Sequence, residues 1–262
     1  MRVAITGSGG LIGGIVYDHL AKLGHDVIGI DRPYADWLKA GRNTDDENAR
    51  SRVDFEMDLT TVSDEELMAT LEDADCLIHL AADANPSNDD HSMIRNNIEP
   101  TTTMFRCAKS SQVNRIIVAS SGLAQVGLEP LFAKGGPMHG RLIQIEDGIA
   151  PTSTYGASKI YAEVLAEMYA RVHGIETIAV RIGTVIPNED EHWIRGGRLQ
   201  ATAFLAEDVR RFFKAAVENT MQGYLLTVAQ SDSPERFLDL EPGLSILNWT
   251  PISWPDKAEN LQ

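Results

Sequence analysis

The chain has 262 residues, 43% hydrophobic and 23% charged, enough for one sizeable core with a small appended lobe and too few for two large domains. Lys and Arg total 23 against 38 Asp and Glu, a formal net charge of -15, which argues against nucleic acid or an anionic membrane as partner, since both need basic patches. Cys76 and Cys107 lack Cys-x-x-Cys spacing, the N-terminal apolar run is too short for a signal peptide, and no stretch is long enough to span a bilayer. A cytoplasmic protein with buried thiols is expected. The acidity fits either an ordinary acidic protein or adaptation to a salty cytosol.

The first half alternates short apolar runs with helical periodicity. Residues 3–6 read as a strand ending in glycines, and 11–23 repeat apolar residues at helical spacing, with Gly24 as the stop. Residues 27–31 read as the second strand, 32–50 as a surface loop or broken helix, and 53–57 as a third strand followed by a helix near 62–72. The fully apolar run 76–80 predicts a central strand, 92–110 a long helix, and 115–119 another buried strand ending at Ser120 and Ser121. An irregular glycine-rich stretch follows. Helical spacing returns at 154–173 and closes at Gly174, and 176–181 reads as a strand. Beyond 182 the pattern weakens to loops, a helix at 206–218, a strand at 224–228 and a packed C-terminal coil carrying Trp249 and Trp254. Strand-helix alternation with apolar strands predicts an α/β, Rossmann-type doubly wound parallel sheet in a single domain over 1–262. Residues 1–181 form its dinucleotide-binding core, and 182–262 a small C-terminal substrate-binding region.

The run Gly7-Ser8-Gly9-Gly10-Leu11-Ile12-Gly13 lies between the first strand and the first helix. Glycines there allow a tight turn and close approach of a pyrophosphate to the helix N-terminus. Asp31 ends the second strand, where a carboxylate accepts hydrogen bonds from ribose hydroxyls, so NAD is the expected cofactor; Arg32 beside it leaves NADP open. Asp58 and Leu59 close the third strand where an adenine edge would be read. Leu80, Ala81 and Ala82 end the fourth with a small-residue platform that either clears room for a dinucleotide or only packs.

Tyr155 and Lys159 lie four apart on one helix face. A phenol with a pKa near ~10 is a poor base unless a cation stabilises its phenolate, which Lys159 can supply while holding a nicotinamide ribose. Ser121, at a strand end, can orient a substrate oxygen, and Asn97 could carry a water that extends the proton route. The seven histidines show no metal-ligand spacing, no metal is expected, and His79 within a buried-type strand reads as structural.

The glycine turn with Asp31, Asp58, the Leu80-Ala81-Ala82 run, Asn97, Ser121, Tyr155 and Lys159 resembles the extended short-chain dehydrogenase/reductase family, its NAD-dependent epimerase/dehydratase group. The likeness spans about the first 180 residues. It implies a Ser121, Tyr155 and Lys159 triad completed by Asn97, with Ser120 as the alternative serine because the spacing through Gly127 departs from the family's. It also implies cofactor contacts from the glycine turn to Leu80, Ala81 and Ala82, and a homodimer through helices such as 154–173.

The short C-terminal part suits a small free substrate better than a nucleotide sugar. The run Val180-Arg181-Ile182-Gly183-Thr184, then Arg198, Leu199, Thr202, Phe204, Asp208 and Val209, and the ending around Trp249, Pro251, Asp256 and Ala258, resemble uronate dehydrogenases. That likeness implies oxidation of an anomeric carbon to a lactone, with Arg198 (or Arg195) near a carboxylate. It puts Thr184 near a hydroxyl, and Ala84, Ser121, Gly122, Leu123 and Tyr155 around the sugar. Gly122 and Leu123 stand where those enzymes have Asn-His, which implies a changed substrate: a neutral sugar, another sugar acid or another small secondary alcohol. A nucleotide-sugar epimerase is the alternative enzyme. An NAD-sensing regulatory protein is the non-enzymatic one, and the intact Tyr155 and Lys159 pair argues against it.

Overall fold

A computed structural model describes residues 1–37, 47–186 and 197–251. Strands β1 (Arg2–Thr6), β2 (Asp26–Asp31), β3 (Phe55–Glu56), β4 (Cys76–His79), β5 (Arg115–Ser121), β6 (Glu176–Ile182) and β9 (Tyr224–Ala229) form one parallel sheet in the order β3-β2-β1-β4-β5-β6-β9. Between β6 and β9 lie β7 (Thr184–Ile186) and β8 (Ala203–Leu205), which pair with each other in parallel. The chain reverses direction across the sheet at β1, which pairs with β2 on one side and β4 on the other. That switch opens a crevice at the carboxyl ends of the two strands.

Strand alternation sends side chains into two apolar layers. Val3 and Ile5 of β1, with Cys76 and Ile78 of β4, pack under the Leu11–Lys22 and Ala206–Glu218 helices through Val16, Leu20, Phe212 and Phe213. Ala4 and Leu77 face the opposite layer, built from the Asp64–Thr70, Glu99–Ser110 and Thr154–His173 helices through Leu67, Phe105, Ala162 and Ala166. Strands buried on both faces explain the uninterrupted apolar runs in the sequence. Both cysteines are buried free thiols, and burial pushes Cys76 up to about 12.

Four expectations change in detail. The strand expected at 53–57 shortens to Phe55–Glu56 because it is the exposed sheet edge, although Asp54 N–H and Met57 N–H still bond the Gly29 and Asp31 carbonyls. The helix expected at 92–110 begins at Asp90 and contains a π-turn over Ile94–Ile98. Pro100 has no N–H to close the α-helical bond to the Asn96 carbonyl, which accounts for a widened turn just there. The stretch after 182 holds the β7 and β8 pair, whose three-residue strands are too short for alternation to register. The C-terminal coil contains a Gly243–Leu247 helix and a buried Trp249, while Trp254, Asp256 and Ala258 fall outside the described residues. Among the described residues, no helix is long and apolar enough to cross a membrane, and no group of His, Cys, Asp and Glu could hold a metal ion.

Candidate active site

A cavity of about 900 Å³ opens at the crevice. One wall is the glycine turn: Gly7, Gly10, Leu11, Ile12 and Gly13. Gly7 sits at φ +73°, and a Cβ there would lie 2.9 Å from the Ala81 nitrogen. A Cβ on Gly13 would come within 2.1 Å of the Gly7 carbonyl oxygen, so the helix can reach the strand end this closely only with glycine. Gly10 caps the helix without a side-chain acceptor, leaving first-turn N–H groups at the cavity wall. Gly9 departs from expectation. It is not part of the lining; a Cβ on it would meet the Trp37 ring at 2.6 Å, and its N–H bonds an Asp31 carboxylate oxygen at 3.0 Å.

The other Asp31 oxygen accepts the Arg32 N–H at 2.8 Å, which fixes the buried carboxylate at the end of β2. A smaller recess beside it is lined by Asp31, Arg32, Asp58, Leu59, Ala81 and Ala82, and Arg32 also reaches the main cavity together with Leu80 and Ala82. A backbone cradle that side chains would fill, a carboxylate at the second strand end and a small-residue platform fit a dinucleotide with its adenosine half toward the recess.

The facing wall carries Ser121, Tyr155 and Lys159. Ser153 caps the Thr154–His173 helix, its hydroxyl accepting the Gly156 N–H at 3.2 Å, so Tyr155 projects from the first turn. Gly156 brings this turn against the Gly122–Ala124 turn, where a Cβ would lie 2.9 Å from the Leu123 carbonyl. Burial raises the Tyr155 phenol above its ordinary value, a hydrogen bond with Ser121 works against that rise, and the Asp83 charge adds to it. Burial also lowers Lys159, to about 8. Its Nζ lies 5.6 Å from the Tyr155 ring centre, and in this geometry the phenol stays above its usual range rather than below it. Ser120 and Ser121 both line the cavity, but Ser120 donates its buried hydroxyl to Glu163 at 2.5 Å, which favours Ser121 as the serine that meets a ligand.

Several expected residues lie elsewhere. Asn97 does not line the cavity. Its carboxamide oxygen accepts the Asp83 N–H at 2.7 Å, and its amino group reaches the Asp83 carbonyl and the Ser158 hydroxyl, both at 3.1 Å, so the side chain clamps the loop after β4. Arg198 pairs with Glu129 through two bonds of 2.9 and 2.8 Å, outside the lining. The Thr184 hydroxyl pairs with Thr202 at 2.9 Å while its neighbours Gly183 and Val185 line the cavity. Gly122 and Leu123 are outside the lining too, the Leu123 N–H donating to Ser121 at 3.2 Å. Ala84 does line it. Arg195 falls outside the described residues. His79 is structural: its ring bridges Thr6 and Thr101 at 2.8 and 3.1 Å, and burial lowers it to about 3.

The rest of the loop on either side of Ala84 was not anticipated from the sequence. Asp83, Asn85, Pro86 and Asn88, with Ser92 and Asn96, form much of the remaining wall. Their composition reads as a turn, and only its position after the fourth strand could have marked it as a site.

The model of the NAD dependent epimerase/dehydratase family matches residues 3–223. An L-arabinose 1-dehydrogenase (NAD(P)(+)) of Haloferax volcanii is 26% identical over 95% of this chain and 96% of its own. An NAD-dependent glucose-6-phosphate dehydrogenase of the same organism is 26% identical over 95% of this chain and 92% of its own. The solved structure of a mutated uronate dehydrogenase superposes with a TM-score of 0.77 at 25% identity, over 96% of this chain and 82% of that one. The chain belongs to the NAD dependent epimerase/dehydratase family and is an NAD-binding enzyme.

Proposed function

We propose that the protein oxidises a small free sugar or sugar acid at its anomeric carbon, with NAD as oxidant and a lactone as product. The observation that carries this reading is the convergence of Ser121, Tyr155 and Lys159 on one wall of a cavity whose other wall is the glycine turn. The full-length likeness to a dehydrogenase acting at carbon 1 of an aldose supports it. NAD, when bound, would supply the hydride acceptor and the positive charge of its nicotinamide ring. Ser121 orients the reacting hydroxyl, and Tyr155, as phenolate, takes its proton while the C–H electron pair leaves as hydride. Lys159 holds the nicotinamide ribose and passes the proton outward; with the Asn97 side chain engaged by the loop, water in the cavity completes that route. Arg32 lets NADP serve as well.

Purified protein mixed with NAD, and separately NADP, is followed by reduced-nicotinamide absorbance across free aldoses, uronic acids and small secondary alcohols, at low and high salt. Turnover with a free sugar or sugar acid, and lactone as its product, is expected. No reduction with any of them, together with NAD released only on denaturation, would replace this reading with an epimerase that returns its hydride. Val164 and Val172, each 60% exposed on the Thr154–His173 helix, support a homodimer, which light scattering tests.

A further inference from the structure

The loop after β4 presents an unusual wall to the substrate end of the cavity. Asp83 is half-buried there. One of its oxygens accepts the Asn85 N–H at 3.1 Å, and the other accepts the Asn88 amide at 2.7 Å and the Ser92 hydroxyl. Burial alone would raise its carboxyl, but these bonds and the Arg32 charge outweigh burial and hold it below the ordinary value, so it is an anion at neutral pH. Its charge reaches Tyr155, so it acts on the reacting end of the cavity.

The polar groups around it bond one another: the Asn85 amide bonds the Asn88 side-chain oxygen at 3.0 Å, the Asn88 amide and the Ser92 hydroxyl bond Asp83, and the Asn96 amide bonds Ser92 at 3.1 Å. Among the described residues, the full charge that this wall carries is the Asp83 carboxylate. Carboxylates and phosphates are acceptor-only and need donors, whereas each sugar hydroxyl can donate. Among the described residues, the cations lining the cavity are Arg32, at the adenosine end, and Lys159, beside Tyr155. Arg198, one of the two arginines that could meet a sugar carboxylate, is held by Glu129.

We propose that Asp83 is a specificity-determining residue that selects neutral polyhydroxy sugars and rejects sugar acids and sugar phosphates. This inference rests on the sugar-oxidation reading and narrows it.

Galactose and galacturonate differ only in a hydroxymethyl group against a carboxylate, so they isolate the charge. Two readouts are compared: kcat/KM for NAD reduction, and calorimetric affinity for the protein–NADH complex. The wild type is expected to favour galactose by about tenfold or more, as one unscreened like charge several ångströms away implies. Asp83→Asn narrows that ratio at least about fivefold by improving galacturonate, whereas a merely loosened loop would weaken both sugars alike. Raising ionic strength narrows the wild-type ratio and leaves that of D83N flat, a check that does not need the variant to be fully stable. A wild type that favours galacturonate, or a ratio unmoved by D83N and by salt, overturns the inference. Absence of NADH with both sugars and with the whole panel refutes the oxidation reading, while the binding ratio still decides the role of Asp83; binding of neither sugar overturns the inference about Asp83.

Discussion

Substituting Glu163 by Gln tests the base on which the chemical wall stands. The carboxylate of Glu163 receives Arg181 through two bonds of 2.8 Å and the Ser120 hydroxyl at 2.5 Å, with side chains 4% and 1% exposed for the acid and the arginine. The Arg181 Nη1 has no hydrogen-bond partner among the described residues, so the glutamate supplies the compensation for a fully buried cation. Glutamine keeps the shape, removes the charge and turns one acceptor into a donor facing other donors. Breaking one side of such a pair costs about 3–5 kcal/mol. At a urea m-value of about 2–3 kcal/mol/M, the unfolding midpoint should fall by roughly 1.5 M. Replacing both partners by methionine should recover most of that loss, because two well-packed apolar side chains avoid the desolvation penalty altogether. The assay is urea unfolding of the wild type, E163Q, E163M, R181M and the double methionine variant, with the wild type and the three methionine variants read as a thermodynamic cycle. Ser121 follows Ser120 directly in β5, so a loosened strand end should also lower kcat at temperatures where E163Q remains folded. A loss below about 1 kcal/mol in E163Q would refute the reasoning, since it would mean that Arg181 finds compensation without Glu163.

Tyr155→Phe should reduce turnover by about 10²–10⁴-fold while NADH affinity, measured by fluorescence titration, changes little, because the phenol acts on the proton and not on the cofactor cradle. Gly13→Ala should abolish NADH binding in the same titration, since its methyl carbon would fall 2.1 Å from the Gly7 carbonyl oxygen and force the helix off the turn. Arg198→Ala should change the KM of any sugar by less than about twofold, because its partner is Glu129 at an exposed site. The last prediction concerns pH. His79 is neutral in the fold, its pKa lowered by burial to about 3 from the ordinary 6.5, so near pH 5 the unfolded chain binds a proton that the fold does not. The stability it contributes is whole above pH 6.5 and is lost as pH falls toward 3, at about 1.4 kcal/mol per pH unit. Urea midpoints at pH 7 and 5 should show that slope in the wild type and lose about one proton of it in His79→Gln.

Much of the molecule was legible along the chain because the responsible interactions are local. Helix 154–173 announces itself by apolar spacing and Gly174 after it, and the structure places its ends at Thr154 and His173. The 206–218 helix is legible in the same way. The glycine turn and Asp31 follow from their places at strand ends. By contrast, β7 and β8 are too short to carry periodicity, and the π-turn before Pro100 reads as plain helix until the missing N–H is set against the Asn96 carbonyl.

The repertoire is written along the chain: parallel strands buried on both faces, a phosphate-sized turn of glycines, and a tyrosine and lysine one helical turn apart. Each depends on residues within a few positions of one another. Which polar groups remain available depends instead on how distant segments pack. Ser120, although it lines the cavity, is bonded to Glu163 across 43 residues, and Arg198 is bonded to Glu129 across 69, which takes the arginine from the cavity. Asp83 enters the site because Asn97, 14 residues on, clamps its backbone from both sides. Buried or half-buried polar groups must be paired, and the partner is chosen by proximity in space, which no spacing along the chain encodes.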